Sequence, residues 1–234
     1  MVYESSPDRP RGKRFSFTGC LEGNLGVIRD DVAETVAEEL QGLLADEPPL
    51  FAPDATPRHR QRYVDLLGGD AGLGRLWVFP GPLDRDDSVD LVWSRSDEAE
   101  RLLFRFDEAM PASLAQIGFR RPDDLWEPWC VALVDGAIAS IAETVRTGWR
   151  GAEVGVDTDP MFRGRGLGAA ATAGWSAHPQ LADRALFYST GRENTSSRRV
   201  TERLGLRFLG STFAVFDRPL EGVDRGGAPT GPTG

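Results

Sequence analysis

The chain has few of the residues from which metal sites and disulfide frameworks are built. Its two cysteines, Cys20 and Cys130, lie far apart, and its two histidines, His59 and His178, have no partners at ligand spacing. Structural metal sites need clustered cysteine and histidine, and disulfide-stapled domains need several cysteines. We therefore expect no metal site and no disulfide. Cys130 lies in an apolar stretch and is expected to be a buried thiol in a reduced, cytoplasmic protein.

Long hydrophobic runs and an excess of basic residues are also absent. No apolar stretch reaches the roughly 18 residues that a membrane-spanning helix needs, and the polar start lacks the apolar segment of a secretory signal. The formal net charge is −9, whereas a nucleic-acid-binding face needs a basic excess. We expect neither a membrane nor a nucleic acid as partner. The overall negative field mildly favours a cationic amine as ligand.

The composition is that of a globular protein with a sizeable core. The chain has 234 residues, of which 40% are hydrophobic and 27% charged. Composition divides it into four parts and shows no internal repeats. A polar, Pro/Arg-rich stretch over 1–19 is expected to be a loose arm, and a Gly/Pro/Thr-rich stretch over 219–234 a disordered tail. Between them lie an N-terminal α/β segment, 20–120, and a second segment, 121–218.

Periodicity and turn residues predict strands and helices along both central segments. An amphipathic helix is expected to start at a cap on Asp30 or Asp31 and to end at Pro48-Pro49. Asp135-Gly136, between two apolar runs, predicts a tight hairpin. The other predicted helices are 57–67, 97–110, 113–117, 168–176 and 194–204, and the predicted strands are 25–28, 76–79, 89–93, 129–134, 137–145, 153–157, 185–189 and 207–216.

The most informative segment is Arg163-Gly164-Arg165-Gly166-Leu167-Gly168. It follows the strand-like run 153–156 and opens the helix-like run 168–175. The first backbone N–H groups of a helix have no partner within the helix and carry partial positive charge, so they bind phosphate well. Glycines let the backbone approach an anion, and the two arginines add positive charge. The segment therefore predicts a site for a phosphate-bearing ligand.

Two other interpretations of this segment remain open. Residues 166–171 fit the G-x-G-x-x-A pattern of dinucleotide-binding proteins. That pattern, however, needs its first glycine almost directly after the strand and an acidic residue at the end of a strand about 20 residues further on. Here loop residues intervene, and the next predicted strand ends in Ser189-Thr190. The other interpretation is a glycine turn that binds nothing.

Two motifs in the second half of the chain resemble a known family. Arg163-x-x-Gly166-x-Gly168 resembles the Q/R-x-x-G-x-G/A pattern with which GNAT-superfamily N-acetyltransferases bind the diphosphate of acetyl-CoA. The run 194–206, from Asn194 through an aliphatic position to Leu204-Gly205-Leu206, resembles the family's second motif at the family's spacing. The resemblance covers about residues 125–217. It implies an α/β (α+β) fold, with a mixed, mostly antiparallel twisted sheet flanked by helices and an extra N-terminal α/β segment.

The resemblance also implies acetyl-CoA as co-substrate. In the family, the backbone of the fourth strand binds pantetheine and the thioester carbonyl where that strand splays from the next one. A helix N-cap for Asn194 and helix packing for Ser197 are the alternatives to a cofactor contact. The residues that the resemblance assigns to the cofactor are Val154, Val156, Arg163, Gly164, Arg165, Gly166, Leu167, Gly168, Asn194 and Ser197.

Acetyl transfer to an amine needs a base, because an ammonium group must lose a proton before it attacks. Glu153 and Glu143 lie on strands beside the expected cofactor site and are the candidates, although each could instead be a solvated charge at a strand end or part of a structural ion pair. The family's usual tyrosine general acid is replaced by Thr201. Tyr188 is an alternative acid, and its other interpretation is a half-buried strand residue. Cys130 is not expected to act as a nucleophile, since direct attack needs no covalent intermediate.

The sequence as a whole predicts an N-acetyltransferase that acts on a primary amine, with a small-molecule acceptor favoured. The alternatives are a non-catalytic acyl-CoA-binding or interaction protein, which the missing tyrosine would suit, and a protein-directed acetyltransferase. Trp126, Trp129 and Trp149 are expected to pack in the core, and an acceptor pocket is the alternative for them. The acceptor and the oligomeric state are not predicted.

Overall fold

A nine-stranded sheet runs through the part of the chain that the computed structural model describes, residues 12–217. The predictions for residues 1–11 and for the tail 219–234 lie outside the described residues. The strands are β1 (Phe15–Cys20), β2 (Gly23–Ile28), β3 (Asp70–Val78), β4 (Asp90–Trp93), β5 (Trp129–Val134), β6 (Ala137–Thr147), β7 (Gly151–Thr158), β8 (Ala185–Gly191) and β9 (Arg207–Phe216). The helices are α1 (Glu34–Ala45), α2 (Arg60–Leu67), α3 (Asp97–Phe104), α4 (Phe106–Ala109), α5 (Ala112–Gln116), α6 (Leu167–Ser176) and α7 (Thr195–Arg203).

The strand order across the sheet is β2-β1-β9-β3-β8-β7-β6-β5-β4. Neighbouring strands pair antiparallel except β7 and β8, which run parallel. A parallel pair needs a crossover connection, and the loop and α6 between β7 and β8 supply it. The predicted fold class, a mixed and mostly antiparallel sheet flanked by helices, is confirmed.

The N-terminal part of the chain contributes strands to both edges and to the middle of this sheet. β3 lies between β8 and β9, while β1 and β2 form one edge and β4 the other. The predicted loose arm over 1–19 is therefore wrong from Phe15 onward. Phe15 and Phe17 are buried, and their rings lie 5.0 and 5.8 Å from the ring of Tyr63 in α2. The alternation Phe-Ser-Phe-Thr is a strand pattern that the polar composition around it concealed.

Two helix predictions need correction. Helix α1 begins at Glu34, and neither Asp30 nor Asp31 caps it. The carboxylate of Asp31 is instead bound by Arg29, at 2.6 Å from its Nε. The predicted helix 97–110 is two helices, because the backbone leaves the helical conformation at Arg105, with φ −109° and ψ 24°. The predicted strands 129–134 and 207–216 match β5 and β9, and Asp135-Gly136 forms the predicted turn, with φ of 52° and 81°.

Helices cover opposite faces of the sheet around the motifs. Alternate residues of β5 separate the two faces: Cys130 and Ala132 pack with α6, whereas Trp129 and Val131 pack with α3, α4 and α5. We call these the α6 face and the α3–α5 face. Helix α6 is buried over its whole length, and its small residues let it approach the sheet closely. A Cβ at Gly174 would lie only 2.5 Å from the sulfur of Cys130.

Candidate active site

The glycine-rich segment connects β7 to α6, in the order strand, loop, helix that the sequence predicts. After β7, residues Pro160–Phe162 form one short 3₁₀ turn. Gly164 and Gly166 then adopt left-handed backbone conformations, with φ of 77° and 83°, which glycine adopts readily. Gly166 occupies the N-cap position of α6, and no side chain caps the first N–H groups of this helix. The local backbone therefore suits an anion.

Three arginines lie around the start of α6. Arg163 and Arg165 are exposed: the Nε of Arg163 donates to Thr158 O at 3.3 Å, and the guanidinium carbon of Arg165 lies 5.6 Å from the centroid of the Phe162 ring. The third is Arg203 from α7, whose Nη1 lies 2.5 Å from the position of a Cβ built on Gly166. Sequence reasoning missed Arg203, although it lies inside the second motif. Its charge adds to those of Arg163 and Arg165 at the start of α6.

Strands β7 and β8 part beside this loop. Their pairing runs from Gly151–Ala185 to Val154–Tyr188, while β7 continues to pair with β6 on its other side as far as Thr158. The predicted splay is therefore present within the described residues, and Val154 lies at the last pair. The Val154 side chain packs on the α6 face, and the backbone at Val156 lies beyond the last pair. The roles of both residues in cofactor binding stay predictions.

Glu153 points away from α6, because its neighbours Ala152 and Val154 both pack with that helix. Its two carboxylate oxygens lie 2.6 and 2.7 Å from Nη1 of Arg146, and Ser189 Oγ also donates to it. The side chain is 15% exposed. The ion-pair interpretation from the sequence is thus present in the structure, and a role as base stays a prediction.

Glu143 lies on the same face as Glu153 but deeper. It is 3% exposed, lies opposite Gly155 on β7, and accepts a hydrogen bond from the backbone N–H of Trp126 at 2.8 Å. The β6–β7 register shifts between Thr144 and Arg146, and Val145 covers Gly155. This bulge places Arg146 opposite Glu153. Bulges of this kind redirect side chains next to functional sites.

The second motif forms α7, with a cap at its start. Asn194 Oδ1 accepts from the backbone N–H of Ser197 at 2.9 Å, so the N-cap interpretation holds for this oxygen. The side chain of Ser197 hydrogen-bonds Tyr188, and burial raises the pKa of Tyr188, against a smaller lowering by this hydrogen bond. Tyr188 is 3% exposed, and is therefore more buried than the sequence predicts. Cofactor contacts by Asn194 and Ser197 stay predictions.

Thr201 is in no position to replace a tyrosine acid. It is 1% exposed, and its hydroxyl donates to the carbonyl of Arg198 at 2.8 Å.

Cys130 is fully buried, as the sequence predicts, and burial raises its pKa to about 12. Its thiol is therefore protonated at neutral pH and a poor nucleophile. Buried His178 contacts Ser94.

The three tryptophans have different environments. Trp129 is 2% exposed and Trp126 is partly buried, whereas Trp149, at the tip of the β6–β7 hairpin, is 86% exposed. The expected core position of Trp149 is therefore wrong, because a hairpin tip projects beyond the helices that cover the sheet.

Within residues 12–217, no group of three or more His, Cys, Asp or Glu side chains could hold a metal. No helix in that range is long and apolar enough to cross a membrane.

Comparison with known proteins gives matches at the level of structure. No protein-family model and no curated protein matches the chain. A GCN5-related N-acetyltransferase-like protein from Streptococcus suis matches with a TM-score of 0.49 and 15% identity, over 87% of this chain and 83% of that one. GNAT-family acetyltransferases are among the matches.

Two further structures match smaller parts. One, from Novosphingobium aromaticivorans, is named as a GNAT-family acetyltransferase and has a TM-score of 0.43 and 22% identity, over 62% of this chain and 64% of that one. A GCN5-related N-acetyltransferase from Kribbella flavida has a TM-score of 0.46 and 19% identity, over 68% of this chain and 64% of that one. This chain thus spans just under two thirds of each of these two proteins. At such low similarity, the functional proposal depends on this chain's own residues.

Proposed function

We propose that this chain is an acetyltransferase of the GNAT type that transfers acetyl from acetyl-CoA to a primary amine by direct attack in a ternary complex. One observation carries the proposal. The parallel strands β7 and β8 part after Val154–Tyr188, and β7 then leads through a glycine-rich loop to an uncapped helix start surrounded by three arginines. A gap between strands beside an anion site suits a long ligand with a diphosphate at one end and an amide-rich arm at the other.

The residues around Gly166 fit a diphosphate. A Cβ at Gly166 would lie 2.5 Å from Nη1 of Arg203, so glycine lets this guanidinium lie against the loop, and the backbone at 166 has a positive φ. The loop 163–168 and Arg203 would hold the diphosphate of acetyl-CoA. The edge of β7 at Val154 and Val156 would offer backbone groups to the pantetheine arm, as an added strand does.

The chemistry then needs few protein groups. Acetyl-CoA supplies an acyl group activated as a thioester. A carboxylate, Glu153 in the first place and Glu143 in the second, takes the proton from the ammonium group of the acceptor. A backbone N–H of β7 donates to the carbonyl oxygen as negative charge develops there. The thiolate leaves without an enzyme acid, since the Thr201 hydroxyl is engaged with Arg198 O.

The first prediction tests the loop with two matched variants. Gly166→Asp places a carboxylate in the anion site, whereas Gly166→Asn has the same shape without the charge, and both residues tolerate a positive φ. Calorimetric titration with acetyl-CoA should show that Asp weakens binding by more than about tenfold and Asn by clearly less, because only Asp repels the diphosphate. Circular dichroism checks that both variants fold. Equal affinity of wild type and Gly166→Asp would show that the loop is not the cofactor site.

A ligand panel separates the candidate functions. Acetyl-CoA and CoA should stabilise the protein in a thermal-shift experiment, by roughly 2.7 kcal/mol at a hundred times the dissociation constant, whereas NAD should not. Acetylation of small primary amines supports the proposed enzyme. Binding of acetyl-CoA with no acetylation in a broad amine and peptide panel would support the non-catalytic alternative. Acetylation confined to peptides would indicate a protein-directed enzyme.

A further inference from the structure

A small cavity opens at the β6–β7 hairpin, at the end of β7 away from the glycine-rich loop. Its volume is about 230 Å³, and its lining includes Arg146, Trp149, Arg150, Glu153 and Phe187. Ligand sites for drug-sized molecules usually measure about 300 to 1,000 Å³, so this cavity suits one end of a ligand. Glu153 is the residue next to Val154, at the last β7–β8 pair before the strands part. The cavity therefore adjoins the place where the reaction is proposed to occur.

Positive charge dominates this cavity, against the net charge of −9 of the whole chain. Two arginines line it, and Glu153 is the one carboxylate that does so within the described residues. Arg184 adds a third guanidinium at the hairpin, where its Nη1 donates to Gly148 O at 2.7 Å. Lys13 lies within electrostatic reach of both Arg146 and Glu153. The charges close to the cavity determine its electrostatic potential, because salt screens charges that lie more than about 8–10 Å away.

Aromatic and glycine residues shape the rest of the cavity. Trp149 is 86% exposed, and the guanidinium carbon of Arg150 lies 5.0 Å from the centroid of its ring. A Cβ at Gly151 would lie 3.1 Å from the Phe187 ring, so a larger residue at 151 would crowd this ring. An exposed indole with a stacked guanidinium offers a flat apolar surface and a fixed cation side by side.

We propose that this cavity is the acceptor subsite and that it selects small amines carrying a carboxylate next to a flat apolar group. The proposal rests on the proposed acetyltransferase function and adds the acceptor class to it. The carboxylate binds Arg150, the apolar group stacks on Trp149, and the amino group lies at Glu153, three residues from Arg150 on the same hairpin. The ammonium group gives one proton to Glu153, and its nitrogen then forms a bond to the thioester carbonyl carbon. The carbon–sulfur bond breaks with its electron pair on the departing CoA thiolate, which takes the second proton from the nitrogen.

The overall negative field mildly favours a cationic amine, but the arginines at the hairpin add a preference for an anion on the same molecule. A ligand with a second positive charge would meet the arginines at the hairpin, whereas an amino acid brings an anion to them and its ammonium group to Glu153. Phosphate could replace carboxylate at the same arginines. The substrates in the test therefore include both anions.

The test compares acceptors with and without the anion, in wild type and in a variant, so that differences in amine pKa between acceptors cancel in the comparison of the two proteins. Phenylalanine is compared with phenylalaninamide, and phosphoethanolamine with ethanolamine, for wild type and for Arg150→Gln. Arg101→Gln is the matched control, because it removes the same charge from the exposed surface of α3, where Arg101 pairs with Glu98. We expect wild type to favour phenylalanine over its amide by about tenfold in kcat/KM, and Arg150→Gln to remove most of this preference by raising KM. The control should keep the preference.

A binding measurement tests whether the cavity holds a carboxylate even if no turnover is found. N-Acetylphenylalanine, a product-like carboxylate, is titrated into wild type, Arg150→Gln and Arg101→Gln by calorimetry. Binding that weakens about tenfold only in Arg150→Gln supports the subsite, whether or not acetyl-CoA binds. No binding at about 10 mM overturns it, as does equal use of phenylalanine and its amide by an active enzyme. A preference for phosphoethanolamine alone would also overturn the carboxylate assignment. Failure of acetyl-CoA itself to bind would count against the proposed function.

Discussion

Glu153 and Glu143 show how two carboxylates on one face of a sheet differ through their partners. Glu153 is held by Arg146 and Ser189 at the rim of the hairpin cavity, whereas Glu143 is almost fully buried and is bound by the backbone N–H of Trp126. In the proposed function, Glu153 would meet the acceptor at this rim. The sequence placed both residues on strands beside the motif, but their different depth depends on the strand pairing and on the bulge at Val145.

The second prediction concerns the base. Glu153→Gln should lower turnover at neutral pH by about a hundredfold, and the loss should shrink at high pH, where the amine deprotonates unaided. Acetyl-CoA affinity, measured by calorimetry, should barely change, because the side chain faces away from α6. Glu143→Gln is the comparison. If Glu143→Gln lowered turnover strongly and Glu153→Gln left it unchanged, the base would be Glu143.

The third prediction uses Lys13, the single lysine of the chain. Burial and, to a smaller extent, the charge of Arg146 lower its pKa from 10.5 to about 8, and the charge of Glu153 opposes this shift. Between pH 8 and 10.5 the unfolded chain therefore binds more protons at this group than the folded chain. Its contribution makes the free energy of unfolding rise with pH across that window, and below pH 8 the partly buried charge is destabilising.

Lys13→Met removes this contribution. Denaturant unfolding should show the largest stability advantage of the variant near neutral pH, and this advantage should shrink as the pH rises through 8 towards 10.5. A difference between the two proteins that does not change with pH would contradict the burial of a titrating ammonium group.

At the scale of elements, a buried aspartate ties the loop before α6 to two other elements. Asp159 is 4% exposed, and its Oδ1 accepts from the backbone N–H of Met161 at 2.8 Å. Its Oδ2 accepts from Ser113 Oγ in α5, and its own N–H donates to Ala139 O in β6 at 3.0 Å. The glycine-rich loop therefore starts from a fixed point.

The fourth prediction is that Asp159→Ala weakens both the fold and the loop. Loss of the two side-chain hydrogen bonds should cost about 1–3 kcal/mol in urea unfolding. Acetyl-CoA binding, measured by calorimetry, should weaken several-fold, because an untethered loop must be ordered on binding. Ser113→Ala is the control and should cost less, since Asp159 keeps its bond from Met161. Unchanged affinity in a destabilised Asp159→Ala protein would show that the tether does not order the anion site.

At the scale of the whole molecule, β3 joins the two central segments, 20–120 and 121–218, into which the composition of the sequence divides the chain. It pairs with β9 along one edge and with β8 along the other, so the segment 20–120 supplies a strand to the middle of the sheet. Without β3, the facing edges of β8 and β9 would lose their shared partner, and unsatisfied backbone groups at such edges are unfavourable.

The fifth prediction follows from this arrangement. A fragment of residues 121–234 should be unfolded or aggregated by circular dichroism and size-exclusion chromatography. The full chain should unfold in urea in one transition that is the same by circular dichroism and by tryptophan fluorescence. A fragment with its own cooperative transition would mean that the second segment is an independent domain.

Local patterns determined much of this protein. The loop 163–168, the hairpin turn at Asp135-Gly136, the strands 129–134 and 207–216 and the cap at Asn194 follow from interactions between residues close in sequence, which a single sequence displays. The same patterns led to the GNAT resemblance and so to the mixed, mostly antiparallel fold class.

The tertiary structure alone decided the features that need contacts between distant residues. The position of β3 between β8 and β9, the Arg203 guanidinium beside Gly166, and Lys13 near Glu153 each join parts of the chain that no local pattern relates. Trp149 has the same hydrophobic side chain as Trp129, yet one lies at a hairpin tip and the other in a core. Burial depends on which elements meet above a residue, and that is a property of the packed sheet and helices.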